Sequence, residues 1–183
     1  MALTSAEIIH LFQTRAGSQY GFEAVTLLQH ALQCAQLAEQ AGETAETIVA
    51  ALLHDVGHLI GAEKRAHPDD RQETDDLHQY IALPFLRGLL PDGVLEPIRL
   101  HVDAKRYLCG AEQGYWATLS PASRRSLELQ GGAYADDELT TFMAQPFSHE
   151  AVRLRRYDDL AKVPNKSTPD LAYYENKLLT VLL

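Results

Sequence analysis

Apolar residues recur at three- and four-residue intervals along almost the whole chain, and no stretch sustains the apolar–polar alternation of a strand bounded by hairpin turns. This pattern predicts an all-α fold. Ser5 is placed to cap a first helix ending near Gly17, and a second runs from about Glu23 to Ala41, with Gly42 as its stop. Thr44 caps a third, AETIVAALLHDVGHLI, read as one helix through residue 60. The charged segment GAEKRAHPDDRQETDD, residues 61–76, carries Pro68 and no apolar period, and is expected to be an exposed loop. Helix resumes at DLHQYIALPFLRGLL, interrupted by Pro84, and at LEPIRLHVDAKRYLCG, where Pro97 fits a first turn. Ser120-Pro121 opens a short helix that ends before Gly131-Gly132, and further helices are expected over 136–144, 148–162 and 170–182. With no repeat, low-complexity tract or linker, residues 1–183 are expected to form a single domain.

Composition narrows the function. A chain of 183 residues with 46% hydrophobic content suffices for one buried core. Its 25 acidic against 16 basic residues give a formal charge of −9, which works against general affinity for nucleic acid or anionic membranes. An anionic substrate would therefore have to be met by a local cationic pocket. Cys34 and Cys109 are too few and too far apart for a disulfide framework or a thiolate metal site, and reduced thiols in a cytoplasmic protein are expected. The N-terminal stretch MALTSAEIIHLFQTRAG lacks the layout of a signal peptide, and no run reaches the length of a membrane span.

The chemistry concentrates in LLHDVGHLI, where a segment that reads as buried helix carries His54, Asp55 and His58. On a continuous helix His54 and His58 share one face, a turn apart. His30 in LLQHALQ, His78 in DDLHQYIALPF and His101 in IRLHVDA add an imidazole from three more expected helices, and Asp158 in RLRRYDDLAK adds a carboxylate. Imidazoles and carboxylates without thiolate suit iron, manganese or zinc. Two ions account for the set more readily than one. His30, His54, Asp55 and Asp158 would fill one ion's shell, leaving His78 and His101 for a second, with Asp55 as a shared bridge. His10, His67 and His149 are assigned ordinary structural or surface roles. HDVGH superficially resembles the zinc-protease pattern H-E-x-x-H, but Asp is too short to serve comfortably as that general base.

A histidine, then a His-Asp pair, then a late aspartate, in this order and on helices, resembles the HD-domain superfamily of metal-dependent proteins, which are all-helical and mostly phosphohydrolases. The resemblance implies an all-α HD-domain bundle around a buried metal site, and His78 with His101 resembles its dinuclear branch. GSQYGFEAV places Tyr20 and Glu23 shortly before His30. This Tyr-x-x-Glu element is similar to that of the HD-domain mixed-valent diiron oxygenases that degrade organophosphonates, and the similarity runs from Tyr20 to about Asp159. By that resemblance Tyr20 occupies an iron position until substrate displaces it, and Glu23 receives a substrate amino group. His58, Lys105, Ser123, Ser126 and Arg155 match positions that hold the phosphonate. Arg124, Arg125 and Arg156 are neighbours that could share that work.

The resemblance implies an oxygenase with two iron ions in mixed valence. It would use dioxygen to cleave the carbon–phosphorus bond of 2-amino-1-hydroxyethylphosphonate into glycine and phosphate. Two other enzymatic readings use the same metal ligands. One is an oxygenase for the trimethylammonium analogue, with Tyr20, Phe22 or Tyr107 lining a more aromatic amine end. The other is an HD phosphohydrolase acting on a nucleotide or phosphate ester, which leaves Tyr20 and Glu23 without a task. A catalytically silent binding module would have to bury the same carboxylates and imidazoles unused, at a cost in stability.

Overall fold

The computed structural model describes residues 2–21, 23–61 and 77–183. Phe22, and the expected charged loop beyond Gly61 with its Pro68 and His67, lie outside the described residues. Among those described, the secondary structure is helical, with two isolated bridges, Gln19 to Thr26 and Arg87 to Leu90, and no strand. The helices are α1 (Ser5–Arg15), α2 (Leu27–Gln40), α3 (Ala45–Leu53), α4 (Val56–Gly61), α5 (His78–Ile81), α6 (Leu83–Leu86), α7 (Asp92–Ala111), α8 (Tyr115–Thr118), α9 (Pro121–Leu129), α10 (Asp136–Met143), α11 (Ser148–Leu160) and α12 (Leu171–Leu179). No helix among them is long and apolar enough to cross a membrane.

α3 is the axis of the bundle. Every residue from Thr47 to Leu53 is buried, so this helix has no solvent face, as its nearly unbroken apolar sequence requires. α2, α7, α11 and α12 pack around it, and α7 also lies along α11. The main core draws on α1 to α4, α6, α7, α11 and α12, with Phe12, Leu52, Leu53, Ile98, Leu154 and Tyr174 fully enclosed. Two smaller clusters, around Leu100 with Phe142 and around Leu108 with Tyr115, extend the core toward α10 and toward α8 with α9.

Several boundaries differ from the sequence expectation, and each difference has a local cause. Thr4, rather than Ser5, caps α1 through a reciprocal capping box with Glu7. The second helix starts at Leu27 because Thr26 and Gln29 form another such box, which takes Glu23 out of the helix. The residues before it double back instead. The Tyr20 amide donates to Val25 O and the Leu27 amide to Ser18 O. The expected third helix breaks at His54-Asp55, and the His58 amide donates to Asp55 O as α4 begins.

Pro97 sits in the interior of α7 rather than in its first turn, because that helix begins at Asp92. The lost amide at Pro97 leaves the Gly93 carbonyl without its helical donor. Ser120 caps α9 as expected, accepting from the Ser123 amide, with Pro121 as the first helical residue. The one-turn α8 was not anticipated.

Candidate metal centre and anion pocket

Four helices and one helix break deliver six side chains to a single buried point. α2 supplies His30, the α3–α4 break His54 and Asp55, α5 His78, α7 His101 and α11 Asp158, all buried. The break matters because it lets consecutive residues turn inward together. Asp55 stands at the middle, and its two oxygens face different partners. Oδ2 lies 3.7 Å from His30 Nε2 and 3.5 Å from His54 Nε2. Oδ1 lies 3.2 Å from His78 Nε2, 3.7 Å from His101 Nε2 and 3.8 Å from His58 Nε2. Asp158 Oδ1 joins the first group, 3.4 Å from His30 Nε2.

The ring orientations are set from behind. The Nδ1 atoms of His30, His54 and His101 lie 3.0, 2.9 and 2.7 Å from the carbonyls of Ala161, Ala51 and Ile98. A carbonyl can only accept, so each Nδ1 carries the proton and each Nε2 presents its lone pair inward. His30 Nε2 is thereby brought within 3.3 Å of His54 Nε2, and His78 Nε2 within 3.0 Å of His101 Nε2. For the first pair this sets two acceptors face to face. Asp55 Oδ2 is buried without a hydrogen-bond partner among the described residues. Converging lone pairs and an orphaned carboxylate oxygen are costly unless a cation lies among them, so these residues fit a metal site.

Electrostatics keeps both carboxylates ionised but divides the imidazoles: burial would lower His30 too, yet Cys34 and Asp158 outweigh it and raise His30 well above the ordinary histidine range. Burial holds His101 well below the ordinary histidine range, helped by His78 and His54, and burial lowers His54 as well. Burial alone would raise the Asp55 and Asp158 carboxyls. The surrounding imidazoles of Asp55, and Arg155 beside Asp158, outweigh it and hold both well below the usual carboxylate range.

The flanking residues form the walls. A turn in which the Glu23 amide donates to Tyr20 O presents both side chains, with Gly21 at a φ of +53°. The Tyr20 ring stacks on His30 at 4.4 Å between centroids and 14° between planes, while His58 stacks on His78 at 4.1 Å. Burial, then Asp55 and Asp158, push the Tyr20 phenol well above its ordinary value. On the other side, Lys105 Nζ, buried one turn beyond His101, donates to Ser126 Oγ at 2.7 Å, and Ser126 Oγ donates to Ser123 O at 3.1 Å. Burial, then the Arg155 charge, lowers the Lys105 ammonium to about 7.

Arg155 is held by two carboxylates. Its two terminal nitrogens are taken by Asp158 and Asp159, leaving the buried Nε without a partner among the described residues. Tyr115 also donates to Asp159. Arg124 lies over the Trp116 ring and donates to Ala117 O, and Arg156 pairs with Glu112, so neither reaches this pocket through those contacts. His10 and His149 are exposed.

Sequence reading missed the part that five residues play here. Lys162 Nζ lies 3.0 Å from Glu23 Oε1 and 3.0 Å from Ser123 Oγ, and Ser120 Oγ donates to Glu23 Oε1 at 2.5 Å. Asp159 and Tyr115 hold Arg155. Cys34, one helical turn after His30, brings Sγ to 3.7 Å from His30 Nε2. Only Cys34 had a signal, its four-residue spacing from a candidate ligand.

The HD domain model matches residues 27–139. That span holds His30, His54, Asp55, His78 and His101. Two curated relatives extend the likeness over nearly the whole chain. A hydroxymethylphosphonate dioxygenase of Gimesia maris is 44% identical over 96% of this chain and 86% of its own length. A [1-hydroxy-2-(trimethylamino)ethyl]phosphonate dioxygenase (glycine-betaine-forming) of Leisingera caerulea is 36% identical over 90% of this chain and 83% of its own. The chain belongs to the HD-domain phosphonate oxygenases. Membership explains why imidazoles and carboxylates are buried at the bundle's centre, where a hydrophobic core would otherwise continue.

Proposed function

We propose that this oxygenase holds two iron ions and uses dioxygen to cleave the carbon–phosphorus bond of a small 1-hydroxyphosphonate. The products are the carboxylate formed from C1 and phosphate. The observation that carries the proposal is the division of labour at Asp55, with one carboxylate oxygen facing His30 and His54 and the other facing His78 and His101. Placed this way, Asp55 would be shared between two ions, with His30 and His54 holding one and His78 and His101 the other. Asp158 completes the first ion's set. Iron bound there supplies the one-electron oxygen chemistry that side chains cannot.

The chain's own residues bind, orient and neutralise. Lys105, Ser126 and Ser123, with the Arg155 Nε, surround the phosphonate, and His58, 3.8 Å from Asp55 Oδ1, adds an imidazole donor to it. Tyr20 covers the His30 side of the centre and yields to the incoming substrate. Arg155 acts chiefly on Asp158, fixing the carboxylate that faces His30. Glu23 receives the C2 substituent, and an ammonium there makes 2-amino-1-hydroxyethylphosphonate the substrate, with glycine as the product. A second reading, the one-carbon hydroxymethylphosphonate, is favoured by a specific observation: Glu23 Oε1 already meets Lys162 and Ser120. The relative at 44% identity bears that substrate in its name.

The test is aerobic incubation of iron-loaded protein with each phosphonate and with a panel of phosphate esters, following oxygen uptake and free phosphate together. Phosphate released in step with oxygen consumption from a 1-hydroxyphosphonate is the expected result. Oxygen-independent release from an ester would replace this reading with a phosphohydrolase.

A further inference from the structure

Lys162 stands just beyond α11, four residues after Asp158, and its ammonium touches both ends of the pocket. On one side it meets Glu23 Oε1; on the other it reaches Ser123 Oγ at 3.0 Å and Ser120 Oγ at 3.5 Å, in the first turn of α9. Lys105 approaches the next turn of the same helix through Ser126. Two ammonium groups therefore flank the hydroxyls at 123 and 126. The third cation, Arg155, has given its terminal nitrogens to Asp158 and Asp159 and cannot offer a two-pronged grip.

A dianionic phosphonate thus needs a second mobile cation beside Lys105. We propose that Lys162 is that cation: it pairs with Glu23 when the pocket is empty and turns to the phosphonate when substrate enters, releasing Glu23 toward the C2 end. Ser123 is the pivot, because its hydroxyl is in reach of the ammonium from the resting position and lines the anion site. The lysine stem is long and its pair with Glu23 is slightly solvent-exposed at 13% on each side, so exchanging one oxygen for another needs only side-chain rotation. One residue then couples recognition of the anion to exposure of the carboxylate. This rests on the phosphonate reading above.

The experiment is anaerobic calorimetric titration of the iron-loaded protein with hydroxymethylphosphonate, on the wild type and on Lys162→Met, Lys162→Arg and Glu23→Gln, with iron content and thermal midpoint measured for each. Losing a charge-assisted hydrogen bond should weaken binding about 10- to 100-fold in Lys162→Met. Lys162→Arg should stay within a few-fold of wild type. Glu23→Gln should bind as tightly as wild type or tighter, because the competing carboxylate charge is gone. An ion pair that merely holds the fold predicts otherwise, with Lys162→Met and Glu23→Gln weakening binding alike. That result, or unchanged affinity in Lys162→Met, overturns the proposal. Wild-type protein that neither binds the phosphonate nor consumes oxygen with it would instead overturn the phosphonate reading itself, and this proposal with it.

Discussion

Gly57 lies against the main chain of His78. A Cβ built on Gly57 would fall well inside the van der Waals sphere of the His78 carbonyl oxygen and crowd its carbonyl carbon. This close approach of α4 to α5 is what brings the His78 imidazole to Asp55, since backbone on both sides leaves no side chain free to give way.

Gly57→Ala should therefore act on stability and metal binding together. The helices must separate, at a cost of about 1–3 kcal/mol or more. In the proposed two-ion centre the displacement should fall on the ion assigned to His78 and His101. Thermal unfolding and iron analysis of the variant should show a lowered midpoint and a loss of up to one ion per chain.

Asp55→Asn keeps the shape of the side chain but removes the charge that faces both imidazole groups. Iron content after anaerobic loading should fall from roughly two per chain to well under one. His101→Ala should remove only the ion on its own side. Full iron retention in Asp55→Asn would show that the carboxylate is not shared.

Lys105 gives a pH dependence whose sign differs between binding and stability. Its ammonium is lowered from 10.5 to about 7 by burial and by Arg155, with Lys162 adding to the repulsion and Asp158 and Asp159 opposing it. Its proposed contribution to phosphonate affinity is present below about 7 and is lost as pH rises, so affinity measured from pH 6 to 9 should decline on the alkaline side. Bound dianion favours the protonated amine and moves the decline upward. Lys105→Met should lack this limb. In folding the same group works oppositely. Between about 7 and 10.5 the unfolded chain holds the proton and the native chain does not, so this group's destabilisation is full below about 7 and is relieved as pH rises.

Tyr20→Phe should preserve the stack on His30, and with it iron content, while removing the hydroxyl that substrate displaces in the proposed mechanism. Anaerobic affinity for hydroxymethylphosphonate should rise by roughly two- to tenfold, as expected when a competing closed state is removed. Weaker binding would mean that the hydroxyl holds substrate instead.

The helical class and most elements were legible because apolar periodicity survives in a single sequence, and the start of α9 was legible to the residue because Ser120-Pro121 is a local signal. The break at His54-Asp55 was not. LLHDVGHLI has helical periodicity on both sides, and the interruption arises from Asp55 and its imidazole neighbours turning toward a common point. The start of α2 was misplaced by reading Glu23 as a first-turn acid when Thr26 and Gln29 hold the stronger capping pair. Lys162 was overlooked for a different reason. Its partners, Glu23 and Ser123, are distant in sequence, and a lysine at the end of an expected helix reads as solvated until α9 and the turn at Tyr20 close over it.

The carbonyls behind His30, His54 and His101 have a consequence for metal selection. Because peptide groups aim these rings, the directions of their bonding nitrogens follow from the course of the chain and persist whichever cation arrives. Such a cradle has little means of refusing manganese or zinc by geometry. On the two-iron proposal, which ion fills the site depends on what the cell supplies, and protein prepared with manganese or zinc should be correctly folded, fully loaded and inert toward oxygen.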